Sequence, residues 1–146
     1  MGSLPFSVEV YSGFGRMDGR MRIETTDEGR FIGLDYQVKD DIFGVLKSRP
    51  RQVRVSFAEI ESIRFVRRRF MTSYVELVIS NLSLAERIPG SEMGRLNLRV
   101  KRNDRDRAQR TVELLQRMMT EHRLLDDDRP LTEEEIDLLF DDLDAD

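Results

Sequence analysis

The sequence predicts a mainly β domain of the α+β kind, a small antiparallel barrel closed by one C-terminal helix. Two observations carry this. Seven short segments in the first hundred residues alternate apolar and polar side chains, and the long stretch of helical periodicity, residues 104–122, follows all of them.

In chain order, Phe6, Val8 and Val10 share a face, as do Met21, Ile23 and Thr25, then Ile32, Leu34, Tyr36 and Val38. The series continues with Val53, Val55 and Phe57, with Ile63 and Phe65, with Val75, Leu77 and Ile79, and with Leu96, Leu98 and Val100. Successive strand side chains point to opposite faces, so each set reads as the buried side of an antiparallel strand. Turn chemistry separates them at Gly13 to Gly19, Asp27-Glu28-Gly29, Ser48-Arg49-Pro50 and Pro89-Gly90-Ser91. In the helix, Asn103 or Asp104 suits the N-cap and Asp106 adds charge to the first turn. Ala108, Val112, Leu115 and Met119 form a stripe with Thr111 and Met118 beside it. Such a stripe requires an apolar partner, which places the helix in the core.

A length of 146 residues suits one domain, residues 1–122, and a tail, 123–146. The chain has no cysteine, which excludes disulfides, thiolate zinc sites and cysteine nucleophiles and fits a reducing, cytoplasmic setting. No apolar run approaches the roughly 20 residues of a membrane helix. The start, Met1 to Pro5, lacks signal-peptide character, and Phe6 stands where a myristoylation signal wants Ser or Thr. The net charge of −4 conceals a division: residues 1–122 hold 22 Lys/Arg against 17 Asp/Glu, and 123–146 hold 2 against 11, leaving +5 and −9. Charge asymmetry of this size marks an interaction tail or a solvated end.

Several segments bear a family likeness: Val55-Ser56-Phe57-Ala58-Glu59-Ile60-Glu61-Ser62-Ile63, Tyr74 to Ile79, Ile88-Pro89-Gly90-Ser91, Leu96 to Val100 and Asp104-Arg105-Asp106. With the strands before them they span about residues 6–122, and the chain resembles bacterial members of the pleckstrin-homology-like (PH-like) superfamily of unknown function. The resemblance implies a seven-stranded antiparallel barrel of two near-orthogonal sheets, with the helix plugging one open end. It also implies binding of peptides, protein domains or lipid headgroups, with no catalysis and no cofactor. Many eukaryotic members carry a tryptophan in the closing helix, and this chain has none.

Two arginine groups are candidate anion sites. Arg16, Arg20 and Arg22 loosely resemble the basic pattern of phosphoinositide binders, with Asp18 among them. Arg64, Arg67, Arg68 and Arg69, with Lys47, Arg49, Arg51 and Arg54 upstream and Phe65, Phe70 and Tyr74 nearby, could meet phosphates and stack on bases. A pI near 5.2 and the lack of RNA-binding signatures count against nucleic acid; solvated arginines at a hairpin tip explain the cluster equally well.

Catalytic and metal patterns fail on inspection. His122 is the sole histidine. The glycines at 13, 15 and 19 meet Asp18 where a dinucleotide fingerprint needs its third glycine, and Ser91 sits one position early for a nucleophile elbow. Arg64 and Arg68 with Asn81-Leu82-Ser83 also resemble the cyclic-dinucleotide-binding PilZ barrel, but Glu86 stands where that family has a closing glycine.

After Asp126 to Pro130 the tail writes a second helix, about residues 132–143: Thr132 caps it, Glu135 completes a capping box and Leu131 can staple onto Ile136. Ile136, Leu139, Phe140 and Leu143 line one face. A helix this short is marginal alone, so it needs a groove, in its own barrel or in a partner, including a second copy in a homodimer. The expectation is therefore a cytoplasmic, non-enzymatic PH-like binding module. A protein partner or the chain itself is engaged through Leu131, Ile136, Leu139, Phe140 and Leu143, and lipid headgroups or nucleic acid at the arginines are the alternative.

Overall fold

Alternation builds strands at all seven expected places. A computed structural model describes residues 2–10, 15–40 and 49–127. Its elements are β1 (Leu4–Val10), β2 (Gly15–Thr26), β3 (Gly29–Asp40), β4 (Arg51–Ser56), β5 (Ile60–Val66), β6 (Ser73–Ile79), α1 (Leu82–Glu86), β7 (Arg95–Val100) and α2 (Arg105–Asp127). The chain divides into two compact units, 1–116 and 117–146, so the sheet and the first half of α2 belong to the first. No helix among the described residues is long and apolar enough to cross a membrane. The tail residues Leu131, Ile136, Leu139, Phe140 and Leu143 lie outside the described residues.

All strand pairs are antiparallel and form one sheet in the order β4-β3-β2-β1-β7-β6-β5. The family resemblance implies two near-orthogonal sheets; the structure has one, in which β1 and β7 join the two groups of strands through the pairing of Ser7 with Arg99. The sheet is not closed, because β4 and β5 stand at its two ends. Every second residue faces inward: Leu4, Phe6, Val8 and Val10 on β1, Ile32, Leu34, Tyr36 and Val38 on β3, and Leu96, Leu98 and Val100 on β7 are all buried. On β5 a bulge between Ile60 and Ser62 resets the parity, so that Ile60 and Ile63, three apart, are both buried.

The helix contributes the expected stripe. Ala108, Val112 and Leu115 are buried, and Met119 is buried further along. Arg107 donates to the Ser3 carbonyl at 3.4 Å and Gln116 to the Ile63 carbonyl at 2.8 Å, so α2 runs from the start of β1 to β5. Its boundaries differ from 104–122. A 3-10 turn at Arg102–Asp104 leads into it, and the Asp104 amide donates to the Lys101 carbonyl at 2.9 Å. That backbone bond does the work expected of a side-chain cap from Asn103 or Asp104. At the far end no glycine or proline interrupts residues 121–127, and the helix continues through them.

Gly15 to Gly19 are strand, not turn. Gly19 pairs with Phe6 on one side and with Tyr36 on the other. A Cβ at Gly19 would stand 2.8 Å from the Phe6 ring and collide with the Asp35 carbonyl. Glycine here serves close approach, which a sequence reading confuses with turn formation. Gly19→Val should therefore lower stability by about 1–3 kcal/mol in urea denaturation. Gly33→Ala, whose new methyl meets only the movable side chains of Glu24 and Arg22, should cost clearly less; equal losses would contradict this packing.

Candidate anion-binding face

Side chains that alternate out of the sheet carry most of the charge. On β2 these are Arg16, Asp18, Arg20 and Arg22, so the first arginine group lies on a strand rather than in a loop. Arg22 is paired with Glu24 at 2.6 Å and also with Asp35. Arg16 pairs with Asp18 at 3.1 Å. Arg20 donates to the Ser3 hydroxyl at 3.0 Å, a neutral partner.

The second group disperses. Arg64 makes two bonds to the Glu76 carboxylate across the β5–β6 ladder, at 2.9 and 3.2 Å. Arg67 reaches α2, bonding Asp106 at 3.1 Å and Gln109 at 3.0 Å. The Arg68 guanidinium lies 4.9 Å from the centre of the Tyr74 ring and donates to the Thr72 carbonyl. Arg64 and Arg68 tie the β5–β6 hairpin together, and Arg67 ties it to α2. Among the described residues Arg69 meets only the Phe70 ring, at 5.5 Å. Phe65 is half-buried and Tyr74 is occupied by Arg68, so the expected trio of stacking aromatics is not assembled.

What the fold does assemble is a different basic surface. Where β1 and β7 meet, Arg16 and Arg20 of β2 and Arg99 and Lys101 beyond them line a cleft of about 450 Å³ floored by Pro5, Phe6 and Ser7. The cleft shares Ser7, Arg99 and Lys101 with a second hollow of about 640 Å³, which adds Arg69, Arg102 and Arg105. It shares Arg20 with a third, which adds Arg107 and Arg110. Nine cations therefore line these three overlapping hollows, whose linings include one carboxylate, Asp18; Arg99 also borders a fourth hollow that holds Glu9 and Glu92. Among the cations, Arg16 and Arg99 have acidic partners, Asp18 and Glu9; the other seven make no ion pair with a described residue. Arg105 donates one amino group to the Arg68 carbonyl, and its buried Nε has no partner among the described residues.

Sequence reasoning missed Arg99, Lys101, Arg102 and Arg105. Their signal is four cations in the seven residues that end a strand and begin a helix. Arg102, Arg105 and Arg107 also sit at the positive end of the α2 dipole, where cations are disfavoured. Repulsion of both kinds would be relieved by an anion.

Ser91 and Asn81, singled out in the sequence, serve turns and caps here. The Ser91 hydroxyl donates to the Ala85 carbonyl at 2.6 Å, fixing the turn after α1. Among the described residues no three metal-ligating side chains converge. Asn81, read above in a PilZ-like motif, caps α1 by accepting from the Leu84 amide at 3.2 Å. Comparison with protein-family models, curated proteins and solved structures yields no match for this chain.

Glu76 is nearly buried, and the Arg64 hydrogen bonds hold its carboxyl below the ordinary value of 4.5 against the opposing effect of burial. A depressed folded value means that the stabilisation is complete well above pH 4.5 and disappears as pH falls through the folded value. Thermal melts should show the wild type losing stability below about pH 4.5, and Glu76→Gln, less stable at neutral pH, following a flatter acid profile. Parallel profiles would contradict a role for this pair.

Proposed function

We propose that this chain is a non-enzymatic, cytoplasmic binding module of the PH-like type, and that its working surface is the basic face running from β2 across the β1–β7 junction to the start of α2. The carrying observation is the set of seven cations without an acidic partner among the described residues, lining three overlapping hollows. Structural arginines in this chain are paired, as Arg22, Arg64 and Arg67 are; leaving so many unpaired on one face favours an anionic partner. The PH-like reading is supported by the strand order with its single terminal helix, and by the resemblance of residues 55–106 in sequence.

A second reading keeps the tail as the binding element. The motivating feature is the net −9 of residues 123–146 beside the stripe Leu131, Ile136, Leu139, Phe140 and Leu143. It suits a groove on a protein partner or a second copy of the chain. Phe140→Ser in the full chain separates the two, because it should dissolve a tail-mediated dimer in sedimentation and leave anion binding unchanged.

The test of the first reading is a titration with a labelled single-stranded oligonucleotide, used as a plain string of phosphates. Binding should weaken steeply as salt rises. Lys101→Glu with Arg102→Glu should reduce it by at least about tenfold, since each reversal removes one attraction and adds one repulsion. Affinity indifferent to both salt and charge reversal would overturn the proposal.

A further inference from the structure

We infer that this basic face seats on an anionic lipid bilayer, with Phe70 and Met71 at the β5–β6 tip entering the interface. The inference rests on the proposed anion-binding role and names its partner. Phe70 is 90% exposed and Met71 62%, and they are the adjacent pair among the exposed large apolar side chains of the described residues. Their exposure is held in place by the hairpin. At the tip's neck Ser73 is fully buried; its hydroxyl accepts from the Arg68 amide at 2.9 Å and donates to the Arg68 carbonyl at 3.4 Å. Arg68 then ties back to Thr72 and Tyr74. A pinned loop that holds a phenylalanine in water calls for an apolar environment outside the molecule.

Charge says which environment. Phe70 and Met71 line the same hollow as Arg69, Lys101, Arg102 and Arg105, and that hollow has no carboxylate. An apolar protein surface would leave those cations unpaired. An anionic membrane satisfies both features at once, with phosphates at the level of the guanidinium groups and hydrocarbon just beneath. Nucleic acid would satisfy the charge alone: an unbranched methionine beside one aromatic ring is a poor stacking platform, and the other two aromatics are engaged. Exposed Met93 and Leu82 border none of the three basic hollows.

The chain contains no tryptophan, so Phe70→Trp supplies a single reporter. Its emission should shift to the blue on adding vesicles of phosphatidylcholine mixed with phosphatidylglycerol, and stay unchanged with phosphatidylcholine alone. In cosedimentation with the mixed vesicles, Phe70→Ser with Met71→Ser should lower partitioning by about tenfold or more. The same variant should keep its melting temperature and its oligonucleotide affinity. Each neutralised cation, such as Arg102→Gln, should reduce vesicle binding about fivefold. Vesicle binding insensitive to the tip substitutions, or a tryptophan that stays in water, overturns the insertion. Oligonucleotide binding without vesicle binding overturns the bilayer and leaves the anion-binding proposal standing. Failure to bind either overturns both.

Discussion

One open sheet must hide its inner face, and the buried stripe of α2 is an element that contributes to doing so. With β4 and β5 at the ends of the strand order, no eighth strand or second sheet is present among the described residues. Ala108, Val112 and Leu115 are buried on a helix tied to Ser3 at one side and to Ile63 and Arg67 at the other. Hydrophobic burial is non-directional, so these polar ties set the orientation while the stripe supplies the driving force.

Closing the core from inside leaves the outward positions of β1, β2 and β7 without packing duties. Two kinds of arginine result. Some are integrated into the fold: Arg64 on Glu76, Arg67 on Asp106, and Arg22 between Glu24 and Asp35. Others, around the β1–β7 junction and the start of α2, raise the self-repulsion of the face, and among the described residues Arg16 and Arg99 alone of these have acidic partners, Asp18 and Glu9. A surface arranged in that way has little to offer stability, and the proposed anionic partner would relieve its repulsion.

Much of this architecture was legible in the residues. Period-two alternation marked every strand, because half-buried antiparallel strands leave that imprint directly, and the stripe of α2 was visible at helical spacing. The misreadings have local causes. Gly19 looks like a turn residue and is a contact residue against Phe6. The five residues of α1 are too few to show periodicity, and its cap, Asn81, was absorbed into a different motif. The bulge at β5 shifts parity by one residue, which alternation alone does not register. For the site, sequence proximity misled: Arg64, Arg67 and Arg68 are neighbours in the chain and point to three different partners. Arg16, Arg20 and Arg69 do reach the common face, but what connects them is Arg99 and Lys101 across the β1–β7 junction. That connection belongs to strand order, which a single sequence does not display.

Leu115 is fully buried at the centre of the α2 stripe, beside the exposed Glu113. Equilibrium urea denaturation of Leu115→Ala therefore reads the sealing of the sheet most directly. A single cooperative transition with about 2–5 kcal/mol less stability than the wild type is expected, because the shortened side chain leaves a cavity between helix and sheet. A loss no greater than that of Glu113→Ala would mean that the sheet hides its inner face by other means, and would contradict the account.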